Sequence, residues 1–372
     1  MNLSYWDIKT WLTNIDFTII GSGIVGLNCA LTLRHKYPSS TILILEKGVL
    51  PQGASSKNAG FACFGSISEI LDDLKCHTKE DVLNLIKHRW DGLGILRERI
   101  GDKQLDFQNL GGYELFPKKD KALFETCLEQ IDDINQLLKP LFKSNVFSLK
   151  PNPFQFKNIN KNLVFNRFEA QIDTGKMMGA LLKKVHQNNI KIINYVNVQE
   201  FSDNGESVTV KTNQFEFKTS KLLVATNGFA STFNIQEVQP ARAQVLITRP
   251  IQNLHIKGTF HFEQGYYYFR NIDNRILFGG GRNLDKHNET TTVFGQSGII
   301  QNKLESILKN VILPNKDFEI DYRWSGIMGV GQQKKPIIKQ ISNNTFCGVR
   351  LGGMGVAIGS LVGRDLANLV SA

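Results

Sequence analysis

Phe17-Thr18-Ile19-Ile20-Gly21-Ser22-Gly23-Ile24-Val25-Gly26, continued by a helix-like stretch to about Lys36 and then by Thr41-Ile42-Leu43-Ile44-Leu45-Glu46, is the part of this 372-residue chain that decides its fold. Its first four residues form a short apolar, β-favouring run suited to a strand covered on both faces. Pro38-Ser39-Ser40 closes the helix, and a second buried strand follows, so the stretch reads as a complete βαβ unit. The three glycines have separate tasks. Gly21 makes the strand-to-helix turn, Gly23 lets backbone approach a pyrophosphate, and Gly26 lets helix and strand pack closely. Unpaired N–H groups and the positive end of the helix then favour phosphate, which makes Gly21, Ser22, Gly23, Ile24, Val25 and Gly26 binding candidates. Glu46 lies 20 residues beyond Gly26, at the end of the second strand. Its carboxylate can accept hydrogen bonds from both adenosine ribose hydroxyls and repels a 2′-phosphate, which disfavours NADP.

Outward from this unit, apolar residues at three- and four-residue spacing predict helices over 67–74, 79–100, 118–138 and 175–186, then 296–309 and 356–369. Gly111–Phe116 reads as a turn and short strand. Strands are predicted at 191–201, 207–212, 214–219, 221–225, 244–249, 266–270, 275–278 and 345–349. Asn213 and the pair Asp273-Asn274 mark hairpin turns. The α/β texture at both ends, with a different texture between, suggests one domain assembled from separated segments.

Composition narrows the function. Hydrophobic content of 41% and charged content of 21% describe a globular chain. No apolar run reaches the roughly 18 residues of a membrane span, and Met1–Asp16 lacks a secretory layout, so a cytoplasmic location is expected. Cys29, Cys63, Cys76, Cys127 and Cys347 are scattered and never paired as C-x-x-C, which argues for reduced thiols and against zinc. The seven histidines show no ligand spacing, and no metal is expected. The net charge of +10 is spread along the chain without a basic block, which argues against a nucleic-acid partner.

Five ordered patches resemble the D-amino-acid oxidase / glycine oxidase / sarcosine oxidase superfamily. Lys47-Gly48 through Gly53-Ala54-Ser55-Ser56-Lys57-Asn58-Ala59-Gly60 is similar to the loop that wraps the FAD pyrophosphate there and passes the isoalloxazine ring. Lys221–Gly228, ending Ala225-Thr226-Asn227-Gly228, is similar to the strand returning under the FAD. Gln239–Val245, Trp324-Ser325-Gly326-Ile327-Met328-Gly329 and Gly352-Gly353-Met354-Gly355-Val356 match further family segments, the last being the turn and helix start that face the flavin pyrimidine. The resemblance implies an α/β fold: a Rossmann-type FAD-binding domain from residues 14–75, 150–232 and 322–372, and an α+β substrate domain from 76–149 and 233–321 with a mostly antiparallel sheet and helices. It implies FAD contacts from Lys47, Ser55, Ser56, Lys57, Asn58, Ala59, Gly60, Val198, Thr226, Asn227, Gly228, Gly352, Gly353, Met354, Gly355 and Val356. No cysteine lies in 324–338, where sarcosine oxidases attach FAD, so non-covalent binding is expected.

The resemblance also implies an FAD-dependent oxidoreductase that takes a hydride from the carbon next to an amine nitrogen of a small amino acid or amine, with oxygen or a quinone or carrier as electron acceptor. Two rival readings stay open: oxidation of a modified tRNA base, and a non-catalytic flavin-binding protein. Where glycine oxidase-like members carry a substrate-gripping arginine, this chain has Ile327-Met328. Met328, Arg350 and Tyr267 are therefore the catalytic candidates. Arg350 can serve a substrate carboxylate or be a structural arginine. In Tyr266-Tyr267-Tyr268, alternation sets Tyr267 opposite its neighbours, one face for the core and one for a cavity.

Overall fold

The deciding stretch folds as the strand Ile15–Ile20, the helix Ile24–Lys36 and the strand Ile42–Leu45, with Ile42–Leu45 buried throughout. The structure, a computed structural model, describes residues 2–370. Ile15–Ile20 pairs in parallel with Ile42–Leu45 on one side and Glu216–Val224 on the other. The full sheet runs in the order Ile337–Ser342, Thr345–Val349, Glu216–Val224, Ile15–Ile20, Ile42–Leu45, Lys191–Ile193. Val208–Thr212 pairs antiparallel with Glu216–Val224, and Val198–Asp203 with Val208–Thr212. The parallel centre reads as near-continuous apolar sequence because both its faces are covered, one by the helices Ile24–Lys36 and Gly355–Leu369 and the other by Val198, Val208, Val210, Phe233 and Ile235.

The helix Gly355–Leu369 closes this layer against Ile24–Lys36. The two approach so closely that a Cβ at Gly363 would stand 2.6 Å from the Val25 carbonyl oxygen. The long helix Lys79–Ile100 crosses the same helix at Gly92, where a Cβ would meet the Ala357 carbonyl oxygen at 2.2 Å.

A second eight-stranded sheet runs Ile320–Val330, Gln239–Thr248, Arg275–Gly280, Tyr267–Ile272, Thr259–Phe262, Gly112–Leu115, Asn162–Asn166, Phe147–Pro151. It is antiparallel except between Thr259–Phe262 and Gly112–Leu115. Its far face is a phenylalanine-rich core in which Phe260 stacks on Phe269 at 4.5 Å. Strands at 147–166 and 320–330 pair here, although 150–232 and 322–372 were assigned from sequence to the nucleotide-binding domain.

Some elements differ from expectation. The helix predicted over 118–138 is interrupted at Gln130 into Lys121–Glu129 and Ile131–Phe142, because Gln130 closes the first helix on its own carbonyls. The runs 214–219 and 221–225 form one strand, Glu216–Val224. The run 191–201 is two strands. Thr259–Phe262 escapes a period-two reading because all four side chains are buried.

Candidate active site

The carboxyl ends of the central parallel strands open into a cavity of about 1200 Å³ that reaches the second sheet. That is above the ~300–1,000 Å³ usual for a small-molecule pocket, and a doubly wound sheet binds ligands at this edge. At one end lie the glycine turn and Glu46. Gly21 has φ +105°, and a Cβ there would meet the Ala225 carbonyl oxygen at 3.0 Å. A Cβ at Gly26 would fall 2.0 Å from the Gly21 carbonyl oxygen, so the helix can sit against the strand only without one. Gly26 thus shapes the turn from behind, outside the cavity lining. Ser22 likewise serves Glu46: its N–H and hydroxyl donate to Oε2 at 3.0 and 2.6 Å, and the Gly48 N–H donates to Oε1 at 3.0 Å. The buried carboxylate is fixed on the cavity wall by these donors, with Lys47 beside it.

The loop from Gly53 to Gly60 forms the next wall. The Ile24 N–H donates to Ser55 Oγ at 2.9 Å, which sets that hydroxyl at the start of the helix. Asn58 Oδ1 accepts from the Gly60 N–H and from Thr174 Oγ1, both at 2.9 Å, so the loop is already shaped. Gly23, Ile24, Val25, Ser55, Lys57, Asn58, Ala59, Gly60 and Val198 all line the cavity. Ser56 does not. Its hydroxyl donates to the Pro51 carbonyl at 2.6 Å and is spent within the loop.

Opposite, Thr226 presents a buried hydroxyl that has no partner. Asn227 Oδ1 accepts from the Arg350 and Leu351 N–H groups, each at 3.0 Å, which ties this turn to the C-terminal one. Gly228 supports the turn from outside the cavity, against the Met328 carbonyl. Gly352, Gly353, Met354, Gly355 and Val356 line the cavity, and the helix starting at Gly355 has no side-chain cap. Its N–H groups and dipole face negative charge. Two helix starts without a capping side chain of their own, one of them carrying the Ser55 hydroxyl, together with a fixed acid and an orphaned hydroxyl, suit a dinucleotide carrying pyrophosphate and ribose.

The other end is built by the second sheet. His261, on Thr259–Phe262, lines the cavity edge-on to Phe61 at 5.0 Å. Its Nε2 bonds Glu169, which also accepts from Thr259 Oγ1 at 2.8 Å. Burial alone lowers the histidine, but the charge and hydrogen bond of Glu169, helped by Glu69 and Glu114, outweigh it and push the imidazole up to about 9. Burial pushes Glu114 up to about 7 against two bonds from Ser68. The remaining wall includes Cys63, Glu69, Asp72, Tyr266, Tyr268, Arg282, Met328 and Lys334. The Nε of Arg282 is buried without a partner, whereas Lys334 is paired with Asp73.

Cys63, Glu169 and His261 bring ligand-type atoms within 4.8 Å of one another, a grouping that sequence spacing did not foresee. Burial holds the Cys63 thiol well above its usual range and thus protonated, and Glu169 engages the histidine.

The three catalytic candidates separate. Met328 lines the cavity, with its sulfur 3.9 Å from where a Cβ on Gly353 would lie. Tyr267 does not: the alternation turns it into the phenylalanine core, stacked on Phe262 at 5.0 Å, while Tyr266 and Tyr268 face the cavity. Arg350 is buried, lies outside the lining and donates to the Gly331 carbonyl at 3.2 Å. Burial, then the nearby Arg89, lower its guanidinium to about 10. Sequence reasoning missed His261, Glu169, Glu69 and Asp72, which only the folded sheet and the helix Ile67–Cys76 bring together.

The family model described as FAD dependent oxidoreductase (DAO) matches residues 16–369. The chain belongs to this family. Proteins similar to it include the probable oxidoreductase OrdL of Haemophilus influenzae, 20% identical over 97% of this chain and 84% of that protein. The gamma-glutamylputrescine oxidoreductase of Escherichia coli is 24% identical over 95% and 83%. Among solved structures, glycine oxidase from Geobacillus kaustophilus superposes with a TM-score of 0.75 at 16% identity, covering 96% of this chain and 95% of that one. As an FAD-dependent oxidoreductase of this family, the chain has the two-layer architecture expected of it. Among the described residues no helix is long and apolar enough to cross a membrane.

Proposed function

We propose that this enzyme oxidises an amine whose reacting carbon bears no carboxylate, with FAD held non-covalently in the cavity. The observation that carries the reading is the substrate end of the cavity. Met328 stands where the family resemblance would put a carboxylate-gripping arginine, and Arg350 is turned to Gly331. Glu69, Asp72, Phe61, Tyr266 and Tyr268 offer carboxylates and ring faces, which attract ammonium groups. One relative's name, gamma-glutamylputrescine oxidoreductase, points to an amine as well.

FAD, when bound, supplies the acceptor for the two electrons and hydrogen leaving the carbon next to nitrogen. The protein's part is placement. Gly21–Gly26, Glu46 and the Ser55–Gly60 loop would hold the dinucleotide, and the helix start at Gly355 would steady negative charge. His261, kept as an imidazolium by Glu169, is half of a pair with no net charge, and Glu69 and Asp72 would hold an ammonium group of the substrate. Phe61 and Tyr268 keep water from the reacting carbon.

The test is anaerobic mixing with a panel of diamines, N-alkylamines and α-amino acids while following the flavin absorbance. Bleaching by amines lacking an α-carboxylate is expected. Bleaching by α-amino acids alone refutes the substrate reading. Acid precipitation should release intact FAD, and flavin retained on the pellet refutes non-covalent binding.

A further inference from the structure

Away from the cavity, seven large apolar side chains stand in solvent around the Lys191–Ile193 edge of the nucleotide-binding sheet. Tyr5, Trp6, Ile8 and Trp11 come from the N-terminal helical turns, Val49 and Leu50 from the loop after Ile42–Leu45, and Tyr195 from the turn after Lys191–Ile193. Trp6 is 68% exposed and Leu50 71%. Local contacts join the three groups. The Lys191 ammonium donates to the Thr10 carbonyl and lies 5.6 Å from the Trp11 ring. Trp11, Ile193 and Asn194 line one shallow groove. The Tyr195 N–H donates to the Gly48 carbonyl at 3.0 Å, which brings the tyrosine beside Val49 and Leu50. Lys191–Ile193 is the edge strand of its sheet, so nothing else of that sheet lies beyond it.

We propose that this face docks on the surface of an anionic lipid bilayer. Exposed apolar groups gathered in this way mark an interaction surface. Their chemistry selects the partner. Tryptophan and tyrosine, apolar with a polar edge, settle at the headgroup level, and lysine stems lie along apolar surface while the ammonium reaches anionic headgroups. Lys9 does this over both Tyr5 and Trp6, at 5.8 and 5.7 Å, and Lys191 over Trp11. The one acid within the helical turns, Asp7, accepts from the Ser4 N–H and hydroxyl, at 2.9 and 2.8 Å, and keeps its negative charge, against which Lys9 and Lys191 supply two positive ones. The net charge of +10 gives the long-range attraction the same sign. Three separate projections, rather than one flat plate, suit a soft surface that closes around each of them. With no helix long enough to span, the mode is attachment in the interface plane.

The test is flotation of the flavin-loaded protein with vesicles of phosphatidylcholine containing about 30% phosphatidylglycerol, and with phosphatidylcholine alone. Binding to the anionic vesicles is expected, falling as salt rises from about 0.05 to 0.5 M. The double variant Trp6→Ser, Leu50→Ser should lose roughly tenfold or more in partitioning, with the flavin spectrum unchanged because neither residue lines the cofactor cavity. Lys9→Glu should weaken binding to anionic vesicles specifically. Failure to float with anionic vesicles overturns the proposal, as does a double variant that floats like the wild type. A dimer that the double variant dissolves also overturns it, since a second copy would then cover this face.

Discussion

Replacing Glu169 with glutamine should invert the way stability depends on pH. His261 titrates near its ordinary 6.5 in the unfolded chain and at about 9 in the folded one. A group raised in this way contributes stability that is fully present below pH 6.5 and lost as pH climbs through about 9. The gap between those values, at 1.36 kcal/mol per unit, amounts to about 3 kcal/mol. Both side chains are nearly inaccessible, at 7% and 1% side-chain exposure, so solvent screening takes little from this figure. In Glu169→Gln the opposing charge is gone and burial dominates, which drives the imidazole below 6.5. Histidine must then lose its proton to fold, and stability rises with pH up to 6.5 and stays level above. Urea midpoints at saturating FAD, measured in half-unit steps from pH 5.5 to 9.5, read this directly. The variant should trail the wild type most at pH 5.5, the acid end of the series, and converge on it near pH 9.5. Two parallel curves would refute the imidazolium–carboxylate pair.

Gly23→Val should abolish FAD binding in a titration, because even a Cβ there would meet Ser55 Oγ at 3.0 Å and the rest would fill the cavity at the helix start. Glu46→Ala should weaken FAD binding by about 1–3 kcal/mol, the scale for losing a charged acceptor, and unchanged affinity would place the ribose elsewhere. Arg350→Lys should leave the substrate dependence of flavin reduction unaltered while lowering the thermal midpoint, since the guanidinium serves the Gly331 carbonyl; a raised half-saturation concentration would show that it reaches substrate.

The cofactor end was legible in the sequence because its demands are local. Gly21, Gly23 and Gly26 share one strand-to-helix turn, Gly26 packs on the Gly21 carbonyl five residues before it, and Glu46 ends the next strand. The substrate end was not. Glu169 and His261 are 92 residues apart and meet only because Thr259–Phe262 lies beside Gly112–Leu115 in the second sheet. Neither carries a motif, and a buried four-residue strand gives no alternation to read. Tyr267 shows a related limit. Period two separates it from Tyr266 and Tyr268, but which face meets the core depends on register with strands far away in sequence. For Arg350 the sequence left a substrate role and a structural one open, because the positive φ of 69° at this residue and its bond to the Gly331 carbonyl are not announced at an arginine.

The interleaved order of the nucleotide sheet bears on how the chain matures during synthesis. Ile15–Ile20 emerges first, yet one of its neighbours, Glu216–Val224, appears some two hundred residues later, and Thr345–Val349 later still. At roughly 5–20 residues per second, the first strand waits ten seconds or more with an unpaired apolar edge. The glycine turn at 352–355 and the helix that seals Ile24–Lys36 come last of all. Flavin capture is therefore a late event in the life of the nascent chain, and until then the βαβ unit is a half-built shelf with an open strand edge.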